Sequence, residues 1–69
     1  METARVNEEF EVANYVIEMF DHERSRWDYI TTEFSISVAT LVIVNLKNAT
    51  GRKCRVLSRR SNNMVLSEI

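Results

Sequence analysis

The chain has no proline and only one glycine, one cysteine, one histidine and one tryptophan in 69 residues. Each shortage closes off a class of chemistry. A lone cysteine forms no intramolecular disulfide, and with a lone histidine it does not close a zinc site. One glycine excludes the glycine-rich phosphate loops GxGxxG and GxxxxGK, which need more than one. The longest nearly unbroken apolar stretch, Val38 to Val44, is far short of the roughly 20 residues that span a bilayer. No cofactor, no metal and no membrane is therefore expected. Met1–Arg5 shows no basic region leading into an apolar one, and the thiol is free, so a cytoplasmic setting is expected.

What is present is ordinary globular composition. Hydrophobic residues make up 45% and charged residues 28%, with a formal net charge of −1. This length predicts a single small domain over 1–69. A chain of this size buries roughly 60% of its unfolded surface, and its core rarely supplies more than about 3–5 kcal/mol net. With disulfide and metal excluded, association with a second chain is the natural supplement, and a homo-oligomer is expected.

The small net charge hides a dipolar chain. Residues 1–34 carry nine acids and three bases, and residues 35–69 carry six bases and one acid. The bases are Lys47, Arg52, Lys53, Arg55, Arg59 and Arg60. Such asymmetry marks either an anion-binding face or two oppositely charged elements that attract each other.

From Asn7 the spacing of Phe10, Ala13, Ile17 and Phe20 predicts an amphipathic helix ending between His22 and Ser25. Glu11, Glu18 and Asp21 fall on its polar side. Asn7 is placed to cap it, and Glu8, Glu9 and Glu11 suit its positive end. Trp27–Phe34 fits both a strand and a continued helix, with its aromatic and β-branched residues favouring the strand. Phe34, Ile36 and Val38 then alternate with small residues, and Leu41–Leu46 is apolar on both faces. This predicts one long strand or two strands, central in a sheet or at an interface. Asn48–Gly51 reads as a turn, Lys53–Ser58 as a strand, Arg59–Asn63 as a polar turn and Met64–Leu66 as a last strand. The expected fold is α+β, one N-terminal helix packed on a three- or four-stranded antiparallel meander.

Candidate chemistry is sparse. Cys54 lies between Lys53 and Arg55, cations that favour a thiolate. On a strand those neighbours face the other way, which makes Cys54 a buried apolar residue beside Val56. His22 is the only imidazole, and none of the serines sits in a GxSxG elbow. No enzyme is expected. Arginine forks suit phosphates, but the 47–60 segment has no interleaved aromatics for bases to stack on.

Val42–Asn48 and Asn62–Ile69 together resemble the Sm-like family, over residues 42–69. That family carries an N-terminal helix before a strongly bent five-stranded sheet and assembles into RNA-binding rings. The resemblance implies an alternative reading, nucleic-acid binding through a basic hairpin at 47–60. The chain departs from the family's pattern at three places. Its strand after the first turn lacks the family's glycine. Arg59, Arg60 and Ser61 replace the aspartate, and Asn63-Met64 reverses the order of the Met-Asn pair. No RNA-binding residue carries over.

The leading expectation is a small non-catalytic protein-interaction module: a subunit, an adaptor, or a regulator or inhibitor that occupies a partner's surface. One contact would be apolar and drawn from Trp27, Tyr29, Leu41 and Ile43. The other would be electrostatic, either the Glu11–Glu18–Asp21 side or the cationic set from Lys47 to Arg60.

Overall fold

The computed structural model describes residues 13–69. The elements are β1 (Tyr15–Asp21), β2 (Arg26–Glu33), α1 (Ile36–Thr50), β3 (Cys54–Ser58), a single 3-10 turn (Arg59–Ser61) and β4 (Met64–Glu68). The four strands form one sheet in the order β2-β1-β3-β4, with every neighbouring pair antiparallel. β2 and β3 therefore run parallel with β1 between them, and α1 makes the crossover. The α+β class holds. The helix lies between β2 and β3 rather than at the N-terminus.

The expected helix fails over its described part because residues 15–21 are a strand. Tyr15, Val16, Ile17 and Phe20 are β-branched or aromatic and suit a pleated surface. Tyr15, Ile17 and Met19 line one side, and Val16, Glu18 and Phe20 the other. Apolar residues on both sides of the strand imitate a broad helical stripe, which is why the spacing pointed to a helix. Residues 7–12 of the expected helix lie outside the described residues. β2 matches the strand reading of the ambiguous segment.

The reverse exchange occurs at 36–50. Ile36, Val38, Val42, Ile43 and Val44 favour strands, yet they build a helix. Ser35, in extended conformation, caps it: Ser37 N and Val38 N donate to its Oγ at 3.1 and 3.4 Å. Gly51 ends it at φ 74, donating its N–H to Lys47 O at 2.8 Å. The expected turn at Asn48–Gly51 is thus the helix's own C-terminus. Thr40 and Thr50 return their hydroxyls to the carbonyls of Ile36 and Leu46 at 2.8 and 2.7 Å. Val42–Asn48, one of the two stretches resembling the Sm-like family, is helix rather than strand.

Ala39, Ile43 and Leu46 recur at helical steps and turn toward the sheet. They meet Ile17 of β1 and Cys54 and Val56 of β3. Tyr15, Met19 and Val42 pack around this centre. Burying an isoleucine or valine fully contributes about 1.5–3 kcal/mol, so a centre of five small to medium side chains is a thin one.

Two local features finish the sheet. Ile30 is an extra residue in β2 opposite β1, and Leu66 an extra residue in β4 opposite β3. Both outer strands thus carry a bulge, which bends an edge away from further pairing. The polar turn after β3 is as expected. It closes through Asn62 and Asn63, both left-handed at φ 56 and 62, a region asparagine tolerates better than most residues.

Candidate interaction surfaces

The six cations do not share a hairpin. Lys47 is in the last turn of α1, and Arg52 and Lys53 are in the loop that follows. Arg55 is on β3, and Arg59 and Arg60 are on the 3-10 turn beyond it. Five strand residues, about 17 Å at the usual rise, separate Lys53 from Arg59. Two of the six side chains, those of Arg55 and Arg59, are already hydrogen-bonded. Arg59 donates from Nη1 to Ala13 O at 3.1 Å, and the backbone N–H of Arg60 donates to Asn14 Oδ1 at 2.8 Å. Arg55 has the most partners.

Arg55 lies on the sheet face away from α1, opposite Glu18 in the β1–β3 register. Its Nη2 and Nε reach Glu18 Oε1 at 2.7 and 2.8 Å. Its guanidinium also lies over Trp27, 4.1 Å from the ring centroid. Trp27 meets Phe20 edge-on at 5.3 Å, Phe20 meets His22 edge-on at 5.0 Å, and Lys53 Nζ is 6.0 Å from the Phe20 centroid. The cluster gathers residues from three strands. Sequence reading missed it because its members become neighbours only through the strand order. One acid of the first half, Glu18, meets one base of the second, Arg55, here.

Glu18 and Asp21 are three apart on a strand and so face opposite ways. They form no common acidic face, and Glu11 lies outside the described residues. Asp21 closes the β1–β2 turn, accepting from the backbone N–H of Glu23 and Arg24 at 3.0 and 3.3 Å. Burial alone would raise its carboxyl pKa. The two backbone N–H groups and the charges of Arg24 and Arg52 outweigh that and hold it below the ordinary carboxylate value.

Ile43 is fully buried in the chain's own core and presents nothing to a partner. Trp27 is half-buried beneath Arg55. Tyr29 and Leu41 are the open ones, at 63% and 62% exposure. Cys54 is fully buried, with Sγ 3.5 Å from Arg52 O. Burial pushes its thiol pKa up, against a smaller lowering by Lys47, so the nearby cations do not activate it. His22 lies at the Asp21 end of β1. Buried Ser58 accepts from Asn14 Nδ2 at 3.2 Å at the Tyr15 end, so the two form no dyad. Among the described residues no three His, Cys, Asp or Glu are placed to hold a metal ion, and no helix is long and apolar enough to cross a membrane.

The outer side of α1 is an uncharged surface. At about 100° per residue, Ser37, Val38, Leu41, Val44, Asn45 and Asn48 lie within about 60° of Leu41. All six are exposed, Val38 at 46% and Val44 at 39%. None is charged, and Lys47 is the only charged residue in α1. Phe34, just before the helix, is also exposed, whereas Ile36 lies about 140° round the helix from Leu41. A solvated helix face ordinarily carries charge, and a contiguous apolar patch marks a contact surface.

No family model, no curated protein and no solved structure matches this chain.

Proposed function

We propose that this protein is a small non-catalytic interaction module that works by binding another protein chain through the outer face of α1. The observation that carries the reading is the uncharged face centred on exposed Leu41. Five of the exposed large apolar side chains, Phe34, Ile36, Val38, Leu41 and Val44, fall within one eleven-residue stretch. The thin core beneath gives the chain a physical reason to gain stability from a partner. The nucleic-acid alternative has less support. Its cations lie on separate elements, and Arg55, the central one, is taken up by Glu18 and Trp27.

Affinity capture with the full chain tests the reading, with Leu41→Glu and the double variant Arg59→Glu/Arg60→Glu run beside it. The expected outcome is a protein retained by the wild type and the arginine variant and lost from Leu41→Glu. A labelled mixed-sequence oligonucleotide is titrated in parallel at low and raised salt. Binding that falls steeply with salt and disappears in the arginine variant overturns the reading in favour of nucleic acid.

A further inference from the structure

The run that builds most of α1 has the pattern of a strand. Between Glu33 and Lys47 thirteen residues pass without a charge, a glycine or a proline, and no other uncharged run in the chain exceeds seven. Seven of the thirteen are Phe, Ile, Val or Thr, types that favour strands. Extended, the run sorts cleanly by its period of two: Ile36, Val38, Val42, Val44 and Leu46 fall on one side with Phe34 and Thr40. Coiled as α1, it does not. Ala39 and Ile43 are buried, while Val38, Leu41 and Val44 stand in water. What keeps the helix is Ser35 at one end, Gly51 at the other and a centre of five buried side chains. Each native strand, by contrast, carries a charge within it, at Glu18, Asp28, Arg55 or Glu68, and such charges interrupt stacking between copies.

We propose that α1 is a conditional helix: once it leaves the sheet, residues 34–46 convert to a strand and stack antiparallel on the same residues of other copies in a cross-β assembly. Charge sets the register. Antiparallel pairing about Thr40 places Glu33 beside Lys47, Phe34 beside Leu46, Ile36 beside Val44 and Val38 beside Val42. Opposite charges then close both ends, and the apolar side packs dry against a second sheet. Parallel stacking in register would set Glu33 on Glu33 and Lys47 on Lys47, like charges about 4.8 Å apart. The inference does not draw on the interaction function above, because it concerns the chain after α1 has been released.

The full chain and its variants are each incubated at their own urea midpoint, where folded and released chains coexist. The wild type is expected to gain thioflavin fluorescence after a lag and to exchange its helical circular-dichroism signal for a β one. The product gives fibre reflections near 4.7 and 10 Å, and mass analysis after proteolysis finds 34–46 in the protected core. Val38→Glu lengthens the lag at least about tenfold, because it places a carboxylate on the dry side of the strand. In the folded chain the same glutamate stands three residues after the Ser35 cap, where it supports the helix. Val65→Glu on β4, matched in chemistry and close in native exposure at 41% against 46%, keeps the wild-type lag. Should Val38→Glu lose its fold, Val44→Lys on the same strand side gives the same readout. Glu33→Lys also lengthens the lag, and the exchanged pair Glu33→Lys/Lys47→Glu restores it. A wild type without the 4.7 Å reflection, or a protected core outside 34–46, overturns the conversion. So does a folded Val38→Glu protein that converts as fast as the wild type. A Glu33→Lys protein with the wild-type lag overturns the antiparallel pairing about Thr40.

Discussion

Arg55 shows what one residue gains from three strands. Its pair with Glu18 is half-buried, at 23% and 22% side-chain exposure, so water screens it less than a surface pair. Stacking on Trp27 adds a cation–π contact of about 0.5–2 kcal/mol. Cys54 shows the opposite, a residue set by what surrounds it. Its thiol ionises less readily in the folded chain than in the unfolded one. A raised folded pKa contributes stability that is complete below the unfolded value and lost as pH rises through the folded one. Stability relative to Cys54→Ala is therefore level below the ordinary thiol range. Above it, the difference shrinks by about 1.4 kcal/mol per pH unit until the folded thiol ionises too. Urea denaturation of both proteins along a pH series checks this, and a pH-independent difference contradicts it.

At the scale of the element, α1 depends on its ends. Strand-favouring residues fill its middle, so Ser35 and Gly51 do more than usual to define it. Ser35→Ala removes the acceptor for two backbone N–H groups and is expected to cost about 1 kcal/mol. Gly51→Ala meets nothing within 4 Å of the added methyl group, so its cost is backbone strain alone, about 1–2 kcal/mol. Thermal denaturation of both variants measures the two costs, and a Gly51→Ala protein as stable as the wild type removes that account of the helix's end. The same two residues explain what was legible beforehand. β2, β3, the polar turn at Arg59–Asn63 and β4 could be read from alternation and turn chemistry. β1 and α1 exchanged types because each is apolar on more than one side, so both periods fit. The bracketing pair, a serine cap and the chain's one glycine sixteen residues later, was the signal that distinguished helix from strand in the second case. For β1 the deciding factor is its place between β2 and β3, which no local pattern carries.

At the scale of the whole molecule, one helix on one sheet leaves a core with little to spare. Ile43 and Leu41, two residues apart, show the division. Ile43→Ala empties a fully buried site and is expected to cost about 2–5 kcal/mol, comparable with the whole net stability of a chain this small. Leu41→Ala, in dilute solution, is expected to stay within about 0.5 kcal/mol. Urea midpoints of the two variants measured side by side test the placement, and equal midpoints would show both side chains in one environment. The candidate surface was legible only in its residues. Leu41 and Tyr29 are found exposed, but that Ile43 faces inward required knowing that 36–50 is a helix. The cationic set looked like one feature because its members are close in sequence, and the fold spreads them along β3 and its two ends.

The position of β1 also governs how the molecule comes into being. β1 is the earliest described strand, yet it lies inside the sheet, and Tyr15 pairs with Ser58. Synthesis at about 5–20 residues per second delivers β3 roughly two to nine seconds after β1. During that interval a β1–β2 hairpin is available, but Ile17 and Met19 have neither helix nor third strand over them. The nascent chain therefore passes through a stage in which the inner face of β1 is uncovered, and the arrival of α1 and of Cys54–Ser58 ends it.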